Sequence, residues 1–215
     1  MIECQLSEAR RVLCLGAHAD DIEIGCGGTL LRLLENPEGL DVYWVVLCSN
    51  QARAREAELS AKTFLRKARR KTIVVKSFRD GFLPYLGAAV KESFEDLKQS
   101  IEPDVIFTHF RNDLHQDHRL VSELTWNTFR SHLILEYEIP KYDADLCAPN
   151  VFVPLSRAVC RRKTQWILRF FATQRNKHWF SEDLFYGLLR LRGVEAASPT
   201  GFAEAFHCRK LLLVP

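Results

Sequence analysis

The chain lacks the cysteine pairs that mark thiolate metal sites and disulfide frameworks. Its seven cysteines, Cys4, Cys14, Cys26, Cys48, Cys147, Cys160 and Cys208, are scattered and odd in number, and none form a Cys-x-x-Cys pair. That count and spacing argue against both arrangements. Most lie in apolar runs, where a free thiol packs as a small hydrophobe. No stretch approaches the ~20 apolar residues of a membrane span. Glu3, Glu8, Arg10 and Arg11 interrupt the first residues before any signal-like apolar run. An excess of one charge is missing too: 30 Lys and Arg stand against 27 Asp and Glu, for a net charge of +3. The basic run Arg66-Lys67-Ala68-Arg69-Arg70-Lys71 reads as a solvated helix end, where cations favour the negative pole of the dipole. One short run is weak support for a nucleic-acid surface. These absences predict a cytoplasmic protein of a reducing compartment, with no membrane span and no nucleic-acid partner. The 215 residues suit one domain covering 1–215, long enough to bury a large core without staples.

What is present is an alternation of strand and helix. Val12-Leu13-Cys14-Leu15, Val42 to Cys48, Thr72-Ile73-Val74-Val75 and Val105-Ile106-Phe107-Thr108 are short, continuous and apolar, as strands buried on both faces are. Between them, Thr29 to Leu34, Arg53 to Lys67 and Val90 to Ile101 carry apolar residues at helical spacing. Asn36-Pro37-Glu38-Gly39 signals a turn. The pattern predicts an α/β fold, a Rossmann-like, mostly parallel sheet with helices on both faces. The C-terminal third adds a strand at His132 to Pro140, a long loop or arm at Lys141 to Pro154, helices at Arg157 to Ala172 and Ser181 to Arg192, and strand character from Phe202 to Val214. The arm is a candidate contact for a homo-oligomer.

Two charged clusters stand at expected strand ends. Gly16-Ala17-His18-Ala19-Asp20-Asp21 follows the first strand, and His115-Gln116-Asp117-His118 follows the fourth. In open α/β sheets the crevice past the carboxyl ends of the strands is where ligands bind. Zinc takes His nitrogen and carboxylate oxygen, and catalytic sites commonly use three protein ligands with one position left for water. His18 and Asp21, three apart on a turn, can reach one ion, and His118 can complete the set. One Zn2+ per chain is expected, although such ligands also accept other divalent ions. Asp20 is the candidate general base. His115 is placed to stabilise an oxyanion or protonate a leaving amine, and Asp117 to orient a histidine. Arg111 offers a fork for phosphate or carboxylate. Glu204, on a late strand, is a candidate brace behind the site. His109, at the end of the fourth strand, either lines the cleft or is a satisfied strand-end histidine. Taken alone, each cluster is also compatible with an ordinary surface turn or helix start.

These residues resemble a family. Ala17-His18-Ala19-Asp20-Asp21-Ile22-Glu23-Ile24-Gly25 is similar to the signature of the zinc-dependent N-acetylglucosamine de-N-acetylases, the PIG-L or LmbE-like family. His115-Gln116-Asp117-His118 resembles that family's second motif, with Gln116 in place of the usual Pro, and Ala19 replaces the commoner Pro of the first. Arg53-Ala54-Arg55-Glu56, Asp80-Gly81, Lys163, Thr173-Gln174 and Ala203-Glu204-Ala205-Phe206 resemble further family positions in the same order. The resemblance implies hydrolysis of an N-acyl group, usually acetyl, from an amino sugar. It implies metal ligation by His18, Asp21 and His118, Asp20 as general base, catalytic participation of His115, and Arg53 facing the substrate.

Two other functions compete. An amidase of a non-sugar N-acyl compound would use the same chemistry. A non-catalytic nucleotide binder is hinted at by Gly25-Cys26-Gly27-Gly28, but a pyrophosphate there would meet Asp20 and Asp21, which is electrostatically unfavourable.

Overall fold

A computed structural model describes residues 3–6, 8–36 and 39–212. Strands β1 (Arg11–Gly16), β2 (Asp41–Cys48), β3 (Arg70–Phe78), β4 (Val105–His109) and β5 (Leu133–Tyr137) run parallel. The strands β6 (Val151–Pro154) and β7 (Ala203–His207) complete a seven-stranded sheet among the described residues, in the order β3-β2-β1-β4-β5-β7-β6. β7 is antiparallel to both of its neighbours. The chain winds from β1 outward to β3, then returns to place β4 on the other side of β1. The direction of winding therefore reverses between β1 and β4, and a crevice opens above their carboxyl ends.

Helices cover both faces because the strands are apolar on both. Cys14, Trp44, Phe107, Tyr137 and Phe206 point to one face and meet α1 (Asp21–Leu33), α2 (Gln51–Phe64), α5 (Arg157–Phe170) and α6 (Glu182–Glu195). Leu13, Leu15, Val45, Ile106 and Ile134 point to the other and meet α3 (Gly87–Ser100) and α4 (Gln116–Thr128). The two-residue period of the strands thus feeds two cores at once. Local chemistry sets several helix starts: the side chains of Asn50, Ser156 and Ser181 accept from the backbone N–H three residues on, as N-caps do.

Helix α1 begins at Asp21, eight residues earlier than the expected Thr29. Gly25, Gly27 and Gly28 therefore lie inside a helix, despite the cost of glycine there. Close packing supplies the reason. A Cβ on Gly25 would stand 2.2 Å from Tyr137 Cδ2, and one on Gly28 would stand 2.5 Å from Leu155 Cδ1. The absent side chains let α1 approach Tyr137 of β5 and Leu155 this closely.

Other expectations are corrected. The basic run is not a helix end. Leu65–Lys67 forms a short 3-10 turn after α2, and Arg70 and Lys71 already belong to β3. Arg69 pairs instead with Asp41 at 2.8 Å. The supposed arm ends in an edge strand, β6, recruited by β7. The strand expected from His132 to Pro140 spans only Leu133–Tyr137, and the strand expected from Phe202 to Val214 spans only Ala203–His207. Val214, like Pro37 and Glu38 of the expected turn, falls outside the described residues. No helix among the described residues is long and apolar enough to cross a membrane.

The close approach of Tyr137 to Gly25 has a measurable consequence. Gly25→Ala should lower unfolding free energy by about 1–3 kcal/mol, the usual cost of overpacking. Gly87→Ala, where a Cβ meets nothing within 4 Å, should change it by about 0.5 kcal/mol or less. Denaturant unfolding of both variants checks this, and equal effects would contradict it.

Candidate metal centre and its surroundings

The turn between β1 and α1 and the first turn of α4 meet above the switch point. His18 Nδ1 lies 3.1 Å from His118 Nε2 and 3.5 Å from Asp21 Oδ2. His118 Nε2 lies 3.7 Å from Asp21 Oδ1. Ligand atoms held at 2.0–2.2 Å around a tetrahedral ion stand about 3.3–3.6 Å apart. Two ring nitrogens and one carboxylate at these separations therefore fit a single divalent ion. The set comes from two segments a hundred residues apart, joined because β1 and β4 are neighbours.

Protonation suits the same reading. Burial and the neighbouring His109 push His118 down to about 3, so its imidazole is neutral near pH 7. Burial alone would raise Asp21, but His118, His109 and His18 hold it well below the ordinary carboxylate range. Burial also opposes charge on His18, yet Asp21, Asp117 and Asp80 raise it well above the usual histidine value. A divalent cation would supply the positive charge that these carboxylates draw from that proton.

Each ring is held from behind. His18 Nε2 faces Asp80 Oδ1 at 3.0 Å and Asp117 Oδ2 at 3.2 Å. Asp117 in turn accepts from the backbone N–H groups of Gly81 and Leu83, which fixes it at the helix start. His118 Nδ1 faces Asp113 Oδ2 at 2.9 Å, and Lys141 Nζ approaches the same oxygen at 3.0 Å. Such contacts select the tautomer and aim the opposite ring nitrogen.

Several of these partners were not singled out from sequence. Asp113 stands two residues before His115, outside the four-residue motif, and its spacing was the one available signal. Lys141 comes from the stretch read as an arm. His109 is fully buried, so it is not an exposed cleft residue. Its Nε2 is approached by the Ala17 amide at 2.9 Å, by Asp21 Oδ2 at 3.1 Å and by the Tyr137 hydroxyl at 3.3 Å. That nitrogen can accept from the Ala17 amide or donate to Asp21 but not both, and Asp21, His109 and His118 also stand close enough together to share an ion.

Asp20 stands at the N-cap position of α1 but makes no capping hydrogen bond. Its Oδ1 accepts from Arg53 Nη2 at 2.8 Å, and its buried Oδ2 has no partner among the described residues. Burial raises its pKa, and Arg53 opposes the shift. Arg53 also donates to Thr173 Oγ1, so its guanidinium is anchored to α2's neighbours as well as to Asp20. His115 caps α4: its Nδ1 accepts from the Asp117 N–H at 3.3 Å.

Two of the expected residues lie elsewhere. Glu204 does not touch the cluster. It accepts from the N–H groups of Gly28 and Thr29 at 2.7 and 2.6 Å and from Lys163 Nζ at 2.6 Å, while Lys163 also donates to Ile24 O. The pair intercepts backbone groups of α1 and pins that helix to α5 and β7. Arg111 lines a separate cavity beyond β5.

With this geometry in view, comparison with known proteins is informative. A family model for GlcNAc-PI de-N-acetylases, PIG-L, matches residues 13–129. The chain belongs to the PIG-L family. Among solved structures, the N,N'-diacetylchitobiose deacetylase of Pyrococcus horikoshii is 21% identical, with 94% of this chain and 84% of that chain covered and a TM-score of 0.69. A zinc-inhibited teicoplanin deacetylase is 14% identical, with coverages of 92% and 97% and a TM-score of 0.70. The 4-carboxy-2-hydroxymuconate hydratase GalB of Pseudomonas putida is 16% identical, with coverages of 96% and 98% and a TM-score of 0.74. At these identities the likeness is one of fold, and the fold carries more than one chemistry.

One buried group beside the cluster makes a pH prediction. Burial raises Glu23 from 4.5 to about 8. Below pH 4.5 the carboxyl is protonated in both states, and between 4.5 and 8 only the folded state keeps the proton. Its contribution to stability is therefore full below pH 4.5 and is lost as pH rises through about 8. Glu23→Gln should flatten the fall in unfolding free energy across that window. Denaturant titrations at a series of pH values read the slope, and an unchanged slope would count against the assignment.

Proposed function

We propose that this protein is a metal-dependent hydrolase that removes the N-acetyl group from an amino sugar or sugar conjugate. The observation that carries the reading is the meeting of His18, Asp21 and His118 beside an Asp20 oxygen left without a partner. Family membership supports it, as do structural neighbours described as deacetylases. The amino-sugar substrate follows from the family resemblance. The sequence is read as one domain of this kind, 1–215.

His18, Asp21 and His118 would hold the ion, with zinc as the leading candidate. When bound, such an ion lowers the pKa of water to ~7 and polarises a carbonyl oxygen. Asp20 takes the proton of the attacking water on Oδ2, while Arg53 holds Oδ1 and opposes the rise in pKa that burial causes. His115 spends Nδ1 on the Asp117 amide, which leaves Nε2 to carry a proton. That proton is donated toward the developing oxyanion or the leaving amine. Water and the amide thus give acetate and a free amino group. Asp117 orients His18, and Glu204 acts at a distance by fixing α1. A cytoplasmic setting suits the seven unpaired cysteines.

The test is acetate release from free, nucleotide-linked and lipid-linked N-acetyl amino sugars, with metal content measured in parallel. His18→Ala and His118→Ala should lose the metal. Asp20→Asn should keep it and lose turnover by about 10²–10⁴-fold, the usual contribution of a general base. Metal retained in both histidine variants would overturn the ligand assignment, and unchanged turnover in Asp20→Asn would remove Asp20 from the mechanism. No acetate from any sugar, with release from simple N-acyl amines, would favour the amidase.

A further inference from the structure

A cavity of about 500 Å³ lies one strand outward from the metal centre, where the loop after β4 meets β5, β7 and the start of β6. Its wall contains one acid, Glu136, and that acid is already matched. Glu136 Oε2 accepts from the Arg111 backbone N–H at 2.9 Å. Its Oε1 accepts from Trp126 Nε1 and from Arg209 Nε, the latter at 2.7 Å. Arg209 is further held flat, with its guanidinium carbon 4.1 Å from the centre of the Trp126 ring. Its Nη2 also lies 2.6 Å from Glu136 Oε1, so one edge of the guanidinium is engaged by that carboxylate, and Nη1 has no partner among the described residues. The Arg111 side chain likewise has none, so its charge faces the cavity uncompensated.

The remaining wall is aromatic and polar. Phe110 stacks on His207, ring centres 3.7 Å apart, and the buried His207 Nε2 has no hydrogen-bond partner among the described residues. Burial and Arg192 push His207 down to about 4, so it is a neutral imidazole near pH 7. Asn150 is not available, because its side chain pairs both ways with the Cys208 backbone. The result is two guanidinium groups with free N–H donors and a stacked aromatic wall around a space much larger than one ion, with the unpartnered His207 nitrogen closed off behind that wall.

We propose that this cavity binds the phosphate group of a small phosphorylated molecule, with Arg111 and Arg209 as its cationic partners. Arginine forks match phosphate oxygens in pairs. The site stands apart from the histidine cluster and does not depend on the de-N-acetylase reading. The phosphate belongs either to the substrate's carrier or to a separate ligand, and the two sources make different predictions.

The experiment is calorimetric titration of the full chain with inorganic phosphate, with and without prior removal of divalent metal. Binding should persist without metal and weaken about 10- to 100-fold in Arg111→Ala, the worth of a charge-assisted hydrogen bond. Arg111 is exposed and its side chain makes no hydrogen bond or ion pair among the described residues, so folding should be unaffected. Arg209→Lys, which keeps a cation beside Glu136 but loses the fork, should also weaken binding. A carrier phosphate predicts that N-acetylglucosamine 1-phosphate binds more tightly than either N-acetylglucosamine or phosphate, with the gain lost in Arg111→Ala. A separate ligand predicts that the phosphate affinity is the same with and without the sugar. Absence of phosphate binding, binding unchanged in both variants, or binding that vanishes with the metal would each overturn the proposal.

Discussion

A buried carboxylate among imidazoles is the constraint on which the site rests. Asp21 is 3% exposed, and an unpaired charge at such a position is too costly to keep. Three histidines from three segments surround it: His18 from the turn after β1, His109 from the end of β4 and His118 from the start of α4. The contacts from His109 and His118 tie the turn after the first strand to the fourth strand and the helix that follows it. The same contacts that neutralise Asp21 also bring His18 and His118 nitrogens to the spacing of a metal site. Charge balance and ligand geometry are here one requirement.

The precision of that arrangement depends on where α1 sits. The helix carries Asp21 in its first turn, so any shift of its axis moves a carboxylate away from its histidines. Two features hold it. Gly25 lets the helix lie against the Tyr137 ring, and the Lys163–Glu204 pair takes over backbone groups of Ile24, Gly28 and Thr29. A buried ion pair contributes little net stability, but this one links α1, α5 and β7 at a defined point. The C-terminal third thereby fixes the placement of residues near the start of the chain.

Asp20 and Asp21 are chemically identical neighbours with opposite environments. Asp21 is held ionised by its histidines, whereas Asp20 is buried beside a single arginine and its pKa is raised. Two carboxyl groups pushed apart in this way can take different roles, one holding charge and one exchanging a proton. Burial sets the difference and Arg53, from α2, limits it; its anchorage to Thr173 brings the short turn after α5 into the same network. The surrounding fold is shared by proteins described as deacetylases and by a hydratase, so the chemistry resides in these side chains and not in the sheet.

The sequence by itself determined the parallel sheet, because runs such as Val12 to Leu15 and Val105 to Thr108 are apolar on both faces and leave no wet side. It also marked the two motifs, since His and Asp at that spacing past strand ends are chemically conspicuous. The start of α1 was hidden, because glycines at 25, 27 and 28 mimic a loop until Tyr137 and Leu155 are known to press against them. β6 was hidden for a related reason: an edge strand of four residues exists only because β7 pairs with it. Asp113, Lys141 and the place of His109 beside Asp21 were beyond reach, because each is defined by a partner distant in sequence. Residue types and local periodicity are written along the chain. Which nitrogen faces which oxygen was decided only when β4 returned beside β1.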